Sequence, residues 1–99
     1  MMVMLRAHLD TAASNEAIKT GALVQAMRKF MERVRPEAAY FGLHEGVRSC
    51  WIVFDLQDSA QTPLLTWDLF SRFHAEVEIT PVTTGEELAE ILTEVRSLA

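Results

Sequence analysis

From Val3 to Asp10 apolar and polar side chains alternate, and no other feature of the chain constrains the fold as tightly. Val3, Leu5, Ala7 and Leu9 point one way and Met4, Arg6, His8 and Asp10 the other, because successive strand side chains face opposite sides of a sheet. The pattern returns at Ala75–Thr80, with Ala75, Val77 and Ile79 set against Glu76, Glu78 and Thr80. Two strands, each with an apolar and a charged side, predict a sheet covered by helices on one face only. Function is then to be sought on the other face.

Between these strands the periodicity changes. Ser14 or Asn15 is a candidate cap for a helix that Pro36 ends, since the residue before proline avoids the α region. Leu23, Met27, Phe30, Met31 and Val34 form its apolar stripe. Gly21 costs about 1 kcal/mol relative to alanine inside a helix, which predicts a frayed or separate first segment. Ala39–His44 and Val47–Leu56 then flank Glu45-Gly46, the pattern of a tight hairpin. With Glu45 and Gly46 as the loop, His44 pairs with Val47, Phe41 with Cys50 and Tyr40 with Trp51. Phe41, Leu43, Cys50, Ile52 and Phe54 share one face; Tyr40, His44, Trp51, Val53 and Asp55 share the other.

Thr62-Pro63 predicts a second helix, with threonine as cap and proline at the first helical position. Its expected core side is Leu65, Leu69, Phe70 and Phe73, and Trp67 falls off that stripe. Thr84-Gly85-Glu86-Glu87 has the form of a capping box. The helix it starts carries Leu88, Ile91, Leu92 and Val95 on one side and Glu86, Glu87, Glu90 and Glu94 on the other. The order is β-α-β-β-α-β plus a C-terminal helix. Right-handed crossovers favour an α+β, ferredoxin-like antiparallel sheet of order 4-1-3-2 with helices on one face.

Length and charge exclude several classes. A chain of 99 residues makes one domain, residues 1–99. Its formal charge of −5 repels phosphate backbones, so no nucleic-acid partner is expected. Uncharged runs fall short of the roughly 18 residues a membrane span needs, and no signal peptide is expected from Met1–Arg6. The lone Cys50 excludes an internal disulfide and fits a reducing, cytoplasmic setting.

At this level the chain resembles the dimeric α+β-barrel superfamily, which includes muconolactone isomerases, antibiotic-biosynthesis-type monooxygenases and many small bacterial proteins. Element order carries the likeness over nearly the whole chain. Residue pattern carries it from Ser49-Cys50-Trp51 through Trp67 to Glu78-Ile79-Thr80-Pro81-Val82, where it is most similar to the uncharacterised bacterial members. The resemblance implies a homodimer whose two sheets pack face to face, with ligand pockets beside or between them. It also implies chemistry without a cofactor, of the isomerase, lyase or monooxygenase kind. No catalytic signature of the superfamily is carried over.

The open face gathers Met4, Arg6, His8 and Asp10 with Tyr40, His44, Trp51, Val53, Asp55, Glu76 and Glu78. In the expected strand order Arg6 and His8 neighbour Glu76 and Glu78. A carboxylate neighbour raises an imidazole pKa, which makes His8 a candidate general acid or base and Arg6 a candidate anion contact. Tyr40, His44, Trp51, Val53, Glu76 and Glu78 are the candidate ligand-binding set. The plainer reading is that these charges pair across the sheet or a dimer seam, at about 0.2–1 kcal/mol each. Tyr40, Trp51, Val53 and Met4 call for a cover, and a second subunit supplies one. The histidines lack metal-ligand spacing, so no metal is expected. Cys50 is expected as a buried apolar residue. Trp67 is expected either to seat the last helix or to leave it reaching for a second subunit. The alternative function is a non-catalytic dimerisation or sensor module.

Overall fold

The computed structural model describes residues Met1–Ala99. Strands β1 (Met2–His8), β2 (Ala38–His44), β3 (Val47–Asp55) and β4 (Glu76–Pro81) form one antiparallel sheet in the order β2-β3-β1-β4. This is the expected 4-1-3-2 arrangement, with β2 and β4 at the edges. The hairpin register is also as expected, with His44 opposite Val47, Phe41 opposite Cys50 and Tyr40 opposite Trp51. Its turn places Glu45 at φ 52° and Gly46 at φ 77°. Two consecutive left-handed residues match the right-handed twist of the flanking strands.

The helices are α1 (Thr11–Thr20), α2 (Ala22–Val34), α3 (Thr62–Ser71) and α4 (Gly85–Leu98), with a 3-10 turn at Ser59–Gln61. The first helical region is two helices rather than one. Gly21 sits at φ 81° between them, closing α1 and opening α2. Neither Ser14 nor Asn15 is the cap. β1 ends at His8, and Asp10 accepts a hydrogen bond from the Ala13 amide at 2.9 Å. Asp10 therefore leaves the open face and serves the helix. Ser14 is instead fully buried, and Arg48 donates to it at 2.8 Å and to Asn15 at 2.7 Å, tying α1 to β3. Thr62 is the first residue of α3 and not its cap, since the preceding 3-10 turn already supplies a helical approach.

The core lies between the sheet and the helices. Val3, Leu5 and Ala7 are fully buried, and Cys50, Ile52, Phe54, Leu69 and Phe73 are nearly so. Phe30 meets Phe54 edge to face at 5.9 Å, the geometry the ring quadrupoles favour. Phe70 is a correction. It is half exposed, and Thr66 takes the buried place on α3, its hydroxyl satisfied by the Thr62 carbonyl at 2.8 Å. Phe41 and Leu43 face the helix side as expected, yet they stay 59% and 72% exposed. The helices cover the centre of the sheet and stop short of β2.

Helix α4 stands apart. Thr84 accepts from the Glu87 amide at 3.1 Å and donates to the Glu87 carboxylate at 3.2 Å, so the capping pair forms. No residue of α4 is buried, and Trp67 is itself 67% exposed, so the two do not seat one another. The radius of gyration is 16.1 Å, against about 13 Å for a compact chain of this length. The excess reflects a helix with no cover in the monomer.

Candidate functional site

The face of the sheet opposite the helices is set by register alone. Arg6 lies between Trp51 on β3 and Glu78 on β4, and His8 between Ser49 and Glu76. Tyr40 lies beyond Trp51 on β2. Met4 and Val53 are adjacent one step along. The eight candidate residues thus share one face, but they divide into two groups.

The first group is an ion pair with aromatic neighbours. Arg6 contacts Glu78 at 3.1 Å, with the arginine side chain about one-third exposed and the glutamate two-thirds. Tyr40 is 67% exposed. Trp51 is half-buried and leans over Gly42, whose missing Cβ would stand 3.7 Å from the indole ring. An alanine at position 42 would make only ordinary contact there.

The second group is imidazole. His8 and His44 lie on strands separated by β3, yet their rings approach to 5.0 Å. The intervening position carries Ser49, small and folded back on the Val47 carbonyl at 2.9 Å, which leaves room for the two rings to meet above it. The His44 ring stands edge-on to Trp51 at 6.3 Å, and its Nε2 is 3.8 Å from Glu45. The His8 Nε2 is buried and has no hydrogen-bond partner. An unpaired buried polar atom costs about 1–3 kcal/mol. It is the one such side-chain atom in the chain, and it lies where the charged face and the strand ends meet.

A hollow of about 320 Å³ opens at this corner. Its wall includes His8, Asp10, Glu45, Val47, His74 and Glu76. Glu45 and His74 were not among the expected site residues. Both have positive φ, 52° and 48°, and sit at the hairpin turn and just before β4. Nothing in their neighbourhood in sequence marks them, because it is sheet order that brings the two ends together. No three His, Cys, Asp or Glu side chains converge into a metal-ligand set. Larger hollows lie on the helix side, one of about 440 Å³ between α2 and α3. That one is lined mainly by core-edge residues such as Phe30, Leu65 and Leu69, and includes no histidine.

Asp55, also on the open face, is held below the ordinary carboxylate range. The hydrogen bond from the Met1 amino group is the leading cause, followed by a smaller opposing effect of burial and then the charge of that amino group. The contact is 2.7 Å. Asp55 lies at the opposite end of β3 from Ser49 and takes no part in the histidine corner.

Solved structures that share the fold include the following three. A 5-chloro-2-hydroxyhydroquinone dehydrochlorinase from Burkholderia phenoliruptrix, in complex with 2,5-dihydroxybenzoquinone, superposes with a TM-score of 0.61 at 11% identity. The match covers 88% of this chain and 98% of that one. A formyltetrahydrofolate deformylase from Pseudomonas putida matches with a TM-score of 0.51 at 10% identity, over 82% of this chain and 28% of its own. A de novo designed protein, Ferredog-Diesel, matches with a TM-score of 0.50 at 6% identity, over 82% and 85%. At these identities the likeness shows the ferredoxin-like fold. No family model matches the chain, and no curated protein does. No helix is long and apolar enough to cross a membrane.

Proposed function

We propose that this protein is a small homodimer that binds a small, partly apolar organic molecule at the open sheet face. The observation that carries the reading is the buried, unpartnered Nε2 of His8 beside His44 and Trp51. A polar atom left unpaired at a cost to stability is explained by a ligand that supplies the missing partner. Trp51 and Tyr40 form apolar walls, and Arg6 offers a cation to a ligand oxygen. Val53, Glu76 and Glu78 complete the surround. In the catalytic form of this reading His8 takes a proton from one position of the ligand and returns it at another, with no cofactor. Isomerase-like chemistry needs no more than that; in a lyase-like reaction the electron pair freed by deprotonation expels a leaving group of the ligand, which takes up the proton from His8, and cofactor-independent oxygenation is the third chemistry that the superfamily resemblance implies. The match to an enzyme holding a dihydroxybenzoquinone directs the ligand class toward planar, oxygenated rings. The unpaired Cys50 supports a reducing, cytoplasmic setting.

One observation favours the non-catalytic alternative. Arg6 already has Glu78 as its partner, as a charged face that only specifies assembly would require. Thermal unfolding with aromatic acids, lactones and 2,5-dihydroxybenzoquinone separates the two. A ligand at 100 times its dissociation constant adds about 2.7 kcal/mol, which raises the melting temperature by about 10 °C or more for a domain of this size. His8→Ala is expected to abolish the shift. A panel that moves nothing, together with a His8→Ala variant altered only in assembly, leaves the dimerisation module standing.

A further inference from the structure

We propose that α4 of one copy docks into an apolar groove on the helix side of a second copy, between α2 and the β2 edge. The groove holds about 530 Å³ and is walled by Val24, Met27, Met31 and Phe41, with Arg28 and Glu32 among its polar lining. Val24 and Phe41 are 52% and 59% exposed, and Leu43 beyond them is 72% exposed. α4 presents the complementary surface. Leu88, Ile91, Leu92 and Val95 lie on one side of it, each about half exposed. A contiguous apolar surface of this kind marks a contact, and here the same chain carries two.

Charge assists the approach of two copies rather than the contact itself, because the glutamates of α4 lie opposite its apolar side. α4 carries Glu86, Glu87, Glu90 and Glu94 against Arg96 alone, whereas α2 carries Arg28, Lys29 and Arg33 against Glu32. Opposite signs steer the acidic helix to the basic one. Topology makes the occupant a second copy. The groove lies over β2 at one edge of the sheet, while α4 leaves from β4 at the other. Three strand spacings amount to about 14 Å, with the chain's own helix layer in between. The link from Val82 to Thr84 reaches about 10 Å at full stretch, so α4 starts on the β4 side of that layer, and none of its residues is buried against its own copy.

For its geometry the contact rests on the homodimer proposed above, taken with the face-to-face sheet packing that the superfamily resemblance implies. A two-fold axis parallel to the strands sets the β4 edge of one copy over the β2 edge of its partner. Sheets pack about 10 Å apart, and a helix of 14 residues is about 21 Å long. α4 therefore reaches past the partner's sheet edge to its helix side. Two such contacts close the pair, each copy giving one helix and receiving another.

Phe41→Asp spoils the groove and Leu92→Asp spoils the helix; both side chains are exposed, so the monomer fold is retained. Each variant alone is expected to weaken self-association at least tenfold in sedimentation equilibrium. An equimolar mixture recovers part of the loss, since the intact helix of one variant enters the intact groove of the other. Amide exchange across Glu86–Leu98 gives a second readout, because an isolated helix this short is marginal in water. Those amides are expected to be protected in the wild-type assembly and to lose protection in Phe41→Asp. Retained protection in that variant, a mixture no stronger than its components, or a wild type that is monomeric with α4 unprotected each overturns the proposal. Failure of the sheet-face reading has a different signature: Trp51→Asp leaves assembly unchanged while Phe41→Asp still strips α4 of its protection.

Discussion

The two faces of one sheet are built from the same strands and obey different physics. On the helix side Val3, Leu5 and Ala7 are fully closed to solvent, with Ile52 and Phe54 at 1% exposure. One residue along, Met4, Arg6 and His8 carry a thioether, an ion pair and an imidazole with an unpaired nitrogen. The first face is packed for stability, with apolar contacts and no stranded polar atom. The second retains one feature that lowers stability, the unpaired His8 nitrogen, and departures of this kind are expected at functional sites. The strand period of two lets both programmes run through the same seven residues of β1.

The largest test of this contrast is truncation on the packed face. Phe54→Ala is expected to cost about 3–5 kcal/mol, the usual range for a buried phenylalanine. That is a large part of the roughly 5–15 kcal/mol that holds a domain of this kind together. Tyr40→Ala, on the exposed face, is expected to change monomer stability by less than about 1 kcal/mol. Urea midpoints for the pair check the ratio, and equal costs would break the contrast.

A substitution on the open face should act on assembly instead. Trp51→Asp is expected to weaken the proposed self-association tenfold or more, about 1.4 kcal/mol or above, while the helical circular dichroism stays close to wild type. Sedimentation at micromolar concentration reads the effect. A wild type that runs as a monomer there would remove the partner from this face.

His8→Phe sharpens the point with a smaller number. Replacing a buried, unpaired polar group by an apolar one of similar shape is neutral or stabilising, so a gain of up to about 1 kcal/mol is expected. Any ligand-induced shift in melting should vanish with it. A variant that is less stable than wild type would show that the imidazole has a structural partner in the folded ensemble.

The contrast between faces was legible because it depends on local alternation. The strands, their order and the register from Tyr40 opposite Trp51 to His44 opposite Val47 all follow from side-chain period and a two-residue turn. Helix boundaries were less so. Asp10 reads as one more polar residue of the strand until the chain turns, when its carboxylate finds the Ala13 amide. The placement of Phe70 depended on how α3 rotates against the sheet, which a short helix with apolar residues on most sides does not specify. Of the site, the shared face was readable but the corner was not. His8 and His44 are on non-adjacent strands and meet only because Ser49 is small, while Glu45 and His74 come from the β2–β3 turn and from just before β4, far apart in the sequence.

Cys50 carries the smallest expected effect and tests the packed face from within. Burial pushes its thiol above the ordinary range, opposed by a smaller lowering from the hydrogen bond with the Ala7 backbone. The folded chain therefore keeps the neutral thiol at pH values where the unfolded chain has begun to ionise. The unfolded state then binds fewer protons, so stability falls as pH rises. The contribution is intact below the ordinary thiol range and is lost from that range upward to the raised folded value, at no more than about 1.4 kcal/mol per pH unit. Urea midpoints between pH 7 and pH 10 should decline more steeply for wild type than for Cys50→Ala, whatever offset the lost packing introduces. Parallel profiles would mean that the thiolate is accommodated at no cost, and hence that the helix-covered side near Cys50 opens to water more readily than its 4% exposure implies.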